Sequence, residues 1–330
     1  MIEWFPHERA PLPRTHLRYV DLDAVLSDGK VERESKAPGF VVLFYGEETD
    51  VLFMVGGEPI TAARFSAGSR GIVPLAAVRR RAQAEREWAG AAFYHAPEPQ
   101  LRAMYASAAR VPDLSARELD ADRSSALFSR ARERAFSGVV ELLEERKAHY
   151  LVFEGGLPVH GFFADQRRSG DVSSKITLAS RLDVLFQPQR LEGVTLFTYP
   201  AVDRLPVQAP AGLLHVYSQL VAAAVDRTAE ALGRGTAIRC FQTALERAAE
   251  KQGALADYSL SEDGRLTGDS TASAAELTDA IAALLFDALT AADRAGATDP
   301  ASLLESVTHA DRFVLQAHSF FDRFPWPLRS

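Results

Sequence analysis

Gly39–Arg64, GFVVLFYGEETDVLFMVGGEPITAAR, can be laid without a gap on Gly138–Phe163, GVVELLEERKAHYLVFEGGLPVHGFF. Under this constant shift Gly39, Val41, Leu43, Leu52, Gly56, Gly57 and Pro59 meet identical residues at Gly138, Val140, Leu142, Leu151, Gly155, Gly156 and Pro158. A unit that recurs at a fixed offset predicts architecture before chemistry. Downstream, Trp88–Pro97 (WAGAAFYHAP) aligns with Leu191–Pro200 (LEGVTLFTYP), Gly90 on Gly193 and Pro97 on Pro200. The second copy then holds about four extra residues, most easily placed in the polar, turn-rich stretch Ala164–Lys175, because exposed connections tolerate insertion.

Each copy reads as three strands. Gly39–Gly46, Asp50–Val55 and Glu58–Phe65 are short runs rich in β-branched and aromatic residues, as are Gly138–Glu144, Ala148–Glu154 and Leu157–Phe163. The pairs Gly56-Gly57 and Gly155-Gly156 between runs supply the positive φ that a tight hairpin turn demands. A phosphate loop would instead open a helix, and here a strand follows. Helices are expected over Val20–Ser27, Ile72–Arg86, Arg123–Arg134 and Thr177–Phe186. In the second of these Arg79, Arg80, Arg81 and Arg86 occupy much of the surface left by the apolar stripe, a solvated face, and Arg79, Arg80 and Arg81 with Arg167 and Arg168 are candidate anion-binding residues.

The order of helix, Ser137-Gly138 strand, Phe153-Glu154-Gly155-Gly156 hairpin with Val159-His160-Gly161, helix and final strand resembles the PATAN domain, the module first described at the N-terminus of PatA-type response regulators. Phe136–Pro200 matches better than Gly39–Pro97, where Thr61 and Ala62 replace His160 and Gly161. The resemblance implies an α+β fold and a non-enzymatic interaction role in bacterial signalling, including control of surface motility through type IV pili. It implies no catalytic residues.

Beyond Val202–Gly212, where Pro206, Pro210 and Gly212 read as a linker, the pattern turns helical. Helices are expected over Leu213–Leu232 and Thr236–Gln252, with a short hairpin or loop at Tyr258–Thr267. Ser273 and Glu276 have capping-box spacing, Leu277 to Ala292 carry one apolar stripe, and Asp299-Pro300 starts a further helix. The expected fold class is therefore α+β: two tandem repeats of a small antiparallel-sheet-plus-helices domain, 1–110 and 111–205, followed by an acidic all-α domain, 206–330.

Composition bounds the function. The net charge is −7, and residues 207–330 hold 10 Lys and Arg against 16 Asp and Glu, which argues against broad nucleic-acid binding. The lone Cys240 makes no internal disulfide or metal pattern. No apolar stretch approaches a membrane span, and MIEWFPHERAPLPR lacks a signal peptide's apolar stretch, so a cytoplasmic chain is expected. No G-x-S-x-G, H-E-x-x-H, G-x-G-x-x-G after a strand, or CxxC occurs, and neither a catalytic residue, a metal nor a cofactor is expected.

Two sets of residues stand out as partner-binding candidates. His160 reads as a half-buried, hydrogen-bonding strand residue, with a ligand role as the alternative. Phe320, Phe321, Phe324 and Trp326 read either as a terminal segment docked on its own helical core or as an aromatic anchor. Arg130, Arg132 and Arg134 with Arg167-Arg168 and Asp171-Val172-Ser173-Ser174 partly match the signature of cyclic-di-GMP receptors, without its closing glycine. The expected function is thus a protein-protein adaptor for a bacterial signalling or motility partner. A homodimer is compatible with it, a nucleotide second-messenger receptor is the alternative, and an enzyme lacking a recognisable motif is the second alternative.

Overall fold

The computed structural model describes residues 2–28, 38–112, 114–118, 128–144, 146–164, 194–297 and 299–326, within two compact units, Met1–Pro206 and Val207–Ser330. Helices and antiparallel sheets build the chain. In the first unit β1 (Arg9–His16), β2 (Gly39–Tyr45), β3 (Glu48–Val55), β4 (Glu58–Phe65), β5 (Arg70–Val73) and β6 (Gly90–His95) form one sheet in the order β1-β6-β2-β3-β4-β5. β7 (Leu114–Glu118), β8 (Gly138–Glu144), β9 (Lys147–Glu154), β10 (Leu157–Phe162) and β11 (Val194–Pro200) form a second in the order β10-β9-β8-β11-β7.

The turn glycines all have positive φ: 61° and 80° at Gly56 and Gly57, 54° and 83° at Gly155 and Gly156. This is the backbone of a two-residue hairpin whose twist matches its strands. Gly39 faces Met54 and Gly138 faces Phe153, and the register slips once in each third strand, between Pro59 and Thr61 in one sheet and between Pro158 and His160 in the other. The final strand is placed differently from the alignment: Gly39 faces His95, whereas Gly138 faces Pro200 rather than Thr198. The shift is two residues, so the same face stays buried.

Gly39 and Gly138 are needed for close approach, not for φ. A Cβ on Gly39 would lie 2.3 Å from the Tyr94 carbonyl oxygen, and one on Gly138 would lie 2.4 Å from that of Tyr199 and 2.5 Å from the Phe136 ring. Backbone cannot yield as a side-chain tip can. Gly138→Ala is expected to cost about 1–3 kcal/mol, the range for an overpacked interior. A denaturant midpoint equal to wild type would show that β8 and β11 can spread.

Alternation divides each sheet into two buried faces. Phe40, Val42, Phe44, Val51 and Phe53 point to one side and join a core shared with Val139, Tyr150, Phe162 and Tyr199 of the other sheet. Val41, Leu43, Leu52 and Met54 point to the opposite side, under α1 (Leu22–Asp28) and α2 (Leu75–Ala84). Val140, Leu142, Leu151 and Phe153 do the same in the second sheet, packing on Ala131 and Phe128.

The shared core is filled by α3 (Glu98–Ala109), which sequence reading leaves unassigned. Its periodicity is hidden because it is wrapped on nearly all sides: Leu101, Ala103, Met104, Ala106 and Ala108 are all buried, and so are the polar Gln100 and Ser107. The Gln100 side-chain N–H donates to the Pro6 carbonyl, and Ser107 Oγ donates to Met104 O at 2.9 Å, so both donors are satisfied inside. Residues 2–8 cross the same space. Trp4 bridges to Lys147, and Ala148 N–H donates to Trp4 O at 3.0 Å.

Two local expectations change. Ile72 and Val73 belong to β5, and the helix begins only after Pro74, whose ring disfavours helical geometry at the residue before it. β1, with Pro11 and Pro13, escapes sequence reading because proline suits a strand only at an edge or bulge; it is an edge strand with two register slips. The helix expected over Thr177–Phe186 and nearly all of the Ala164–Lys175 loop lie outside the described residues.

The second unit contains α4 (Ala211–Leu232), α5 (Arg234–Lys251), α6 (Ala274–Arg294), α7 (Pro300–Thr308) and α8 (Arg312–Ala317), with the short pair β12 (Ser259–Leu260) and β13 (Leu266–Thr267). Ser273 Oγ accepts from Glu276 N–H at 3.3 Å while the Glu276 carboxylate accepts from Ser273 N–H at 2.8 Å, a reciprocal cap. Those hydrogen bonds hold the Glu276 carboxyl below its ordinary pKa. Leu277, Ile281, Leu284, Leu285, Ala288 and Leu289 of α6 meet Tyr217, Leu220, Val221, Phe241 and Leu245 in one core.

Candidate functional site

A buried polar cluster lies where the two sheets of the first unit share a core. On β8, Glu141 occupies the position held by Val42 on β2, and on β9, Tyr150 stands where β3 has Val51, so one sheet contributes polar groups where the other is apolar. Glu141 is fully buried, which requires a partner. Arg70, from the first residue of β5, supplies it: its Nη1 donates to Glu141 Oε2 at 2.5 Å and to the Tyr199 hydroxyl at 3.2 Å. Tyr199 in turn donates to the same carboxylate oxygen at 3.3 Å.

Burial opposes the charge of Arg70, but Glu141, Tyr199 and Tyr150 outweigh it and raise the guanidinium pKa. Burial, then the Glu141 charge, raises the phenol pKa of Tyr199, and for Tyr150 the same two causes raise it well above its usual value. The cluster therefore holds a cationic guanidinium and neutral phenols at neutral pH.

Arg70 also lines a cavity of about 410 Å³. Its walls are the β4–β5 turn with Ser66 and Ser69, the end of α3 with Ser107 and Arg110, and Phe197 and Tyr199 of β11. Phe197 stacks beside Tyr199 at 6.3 Å, and the Arg70 guanidinium sits 5.4 Å from its ring centroid.

A second feature lies on the outer side of the first sheet. Leu17 N–H donates to Ala89 O at 2.8 Å, and Arg86 donates to the carbonyls of Arg18 and Val20 at 3.3 and 3.4 Å. These bonds clamp the segment carrying Tyr19, 70% exposed, beside the one carrying Trp88, 56% exposed. Arg18 stacks 4.5 Å over Tyr19, and Trp88 packs edge-on to Tyr45 at 6.0 Å.

Among the arginines read as a solvated cluster, Arg79 and Arg80 are exposed, but Arg81 is not on that face. Its ion pairs reach Glu48 at 2.7 Å and Glu85 at 3.1 Å, and it lies 4.1 Å over Tyr45. Asp50, fully buried, accepts both arms of Arg64 at 2.7 and 2.9 Å. Arg167, Arg168 and the Asp171–Ser174 run lie outside the described residues.

His160 faces Val152 on β10 and stacks on Phe162 at 6.0 Å, half-buried. Phe320 is fully buried, Phe324 nearly so, and Phe321 and Trp326 pack on the helical core. Sequence reading missed Glu141, Arg70, Tyr19 and Trp88. For Glu141 a signal exists, since a carboxylate interrupts GVVELL at a position that is valine in the other copy. Arg70 carries no such mark, because its partner is far along the chain.

Among the described residues no group of His, Cys, Asp or Glu is arranged to hold a metal ion, and no helix is long and apolar enough to cross a membrane. Compared with known proteins, the chain has no matching family model, curated relative or solved structure.

Proposed function

We propose that this chain is a non-catalytic adaptor built on a duplicated PATAN-like unit and an acidic helical region, and that it docks a cytoplasmic bacterial signalling or motility protein. The duplication is supported by the shared hairpin register and the matching slip in β4 and β10. The observation that carries the docking role is the Tyr19–Trp88 surface. Two large aromatic side chains stand mostly exposed, held by backbone bonds and flanked by Arg18 and Arg86, the residue types that dominate interface energetics.

Strand addition suits the first sheet poorly. The hairpin edge at β4 is covered by β5, and β1 carries two prolines and two slips. The PATAN resemblance directs the search for the partner to complexes that control type IV pili. Affinity capture from the native cell with the wild-type chain and with a Tyr19→Ser/Trp88→Ser variant tests the reading. A reproducible partner, lost by at least tenfold in the variant at unchanged melting temperature, is expected. Equal recovery with both chains, or no reproducible partner, sinks it.

A further inference from the structure

We infer that the cavity beside Arg70 is a binding site for a small planar anion, an aromatic or heterocyclic ring carrying one phosphate or carboxylate. This goes beyond the adaptor role and does not depend on it. Volume sets the class first: about 410 Å³ lies within the range of small-molecule pockets and is ample for one ring system with a charged substituent.

The charge follows from the bookkeeping of hydrogen bonds. Arg70 directs only Nη1 at Glu141 and Tyr199, and its Nε and Nη2 have no hydrogen-bond partner among the described residues. A guanidinium recognises a carboxylate or phosphate through two parallel donors, and that second edge remains available here. Arg110, at the end of α3, is exposed and makes no side-chain ion pair among the described residues. Two cations against the single Glu141 leave the cavity with a net positive charge.

The ring follows from Phe197 and Tyr199, stacked with an interplanar angle of 23° and lining the same wall, with Leu143, Ile2 and Val111 completing the apolar part. An aromatic wall stacks flat rings regardless of their hydrogen-bonding edges. The hydroxyls of Ser66, Ser69 and Ser107 add polar contacts around the cationic end.

Replacing Arg70 would strand Glu141, so the discriminating variants are Arg110→Glu and Val111→Glu, both at exposed positions that leave the fold intact. Isothermal titration of the full chain uses AMP and GMP as one arm, benzoate and indole-3-carboxylate as the other, and inorganic phosphate as the ringless control. Micromolar binding in at least one arm is expected, weakened about tenfold or more in each variant and at least tenfold tighter than phosphate. Which arm binds identifies the anion as phosphate or carboxylate. No heat from any ring-bearing probe at 1 mM (roughly the weakest useful affinity), binding indifferent to both variants, or phosphate binding as tightly as the rings overturns the inference.

Discussion

Arg70→Met is expected to destabilise the chain by about 3–5 kcal/mol, because it leaves the Glu141 carboxylate buried without a counter-charge. The estimate applies in full only where solvent is excluded, and here Glu141 is 0% and Arg70 18% exposed. The double variant Arg70→Met/Glu141→Leu is expected to recover most of the loss, since replacing both members of a buried pair by apolar groups is near neutral. Val42 at the corresponding position of the first sheet shows that an apolar residue fits there. Urea denaturation of the four chains gives the coupling energy directly. A single-variant loss below about 1 kcal/mol would mean that the pair behaves as a screened surface bridge.

The phenols beside this pair give it an alkaline limit. Tyr199 and Tyr150 hold their protons in the folded chain above the ordinary value of 10.0, chiefly through burial and secondly through Glu141. A raised pKa contributes stability that is complete below pH 10 and declines as pH rises further, because the unfolded phenol ionises first. The stability of the wild type should therefore fall above pH 10, and Tyr199→Phe should make that fall shallower.

Phe320→Ala is expected to cost about 3–5 kcal/mol in the helical unit, the range for truncating a buried aromatic. Its ring is fully buried, 6.0 Å from Tyr217, 5.6 Å from Phe321 and 5.1 Å from Phe324. Phe313→Ala provides the contrast, since that ring is 88% exposed and its loss should leave the calorimetric transition within about 0.5 kcal/mol of wild type. If Phe320→Ala melts like wild type, the terminal aromatics do not serve as core and the anchor reading of Phe320–Trp326 returns.

The hairpin strands β2 to β4 and β8 to β10 are legible because their signal is local: alternation has a period of two and Gly-Gly marks the turn. The cap at Ser273 and the proline start at Pro300 are legible for the same reason. α3 is not, because a helix buried on most sides loses the polar stripe that betrays a surface helix. Neither is β1, whose prolines argue against a strand until an edge position is known.

By itself, the sequence determined the local grammar of this protein: which segments extend, which coil, where the chain turns, and that Gly39–Arg64 aligns without a gap on Gly138–Phe163. Only the tertiary structure decided that the two sheets share a core around α3, that Arg70 answers Glu141 across 71 positions of chain, and that Arg86 ties the segment carrying Tyr19 beside the one carrying Trp88. Spacing along a chain fixes what neighbours can do to one another. Charge pairing and shared burial depend on distance in space, and that is set only when all the local pieces compete for the same interior.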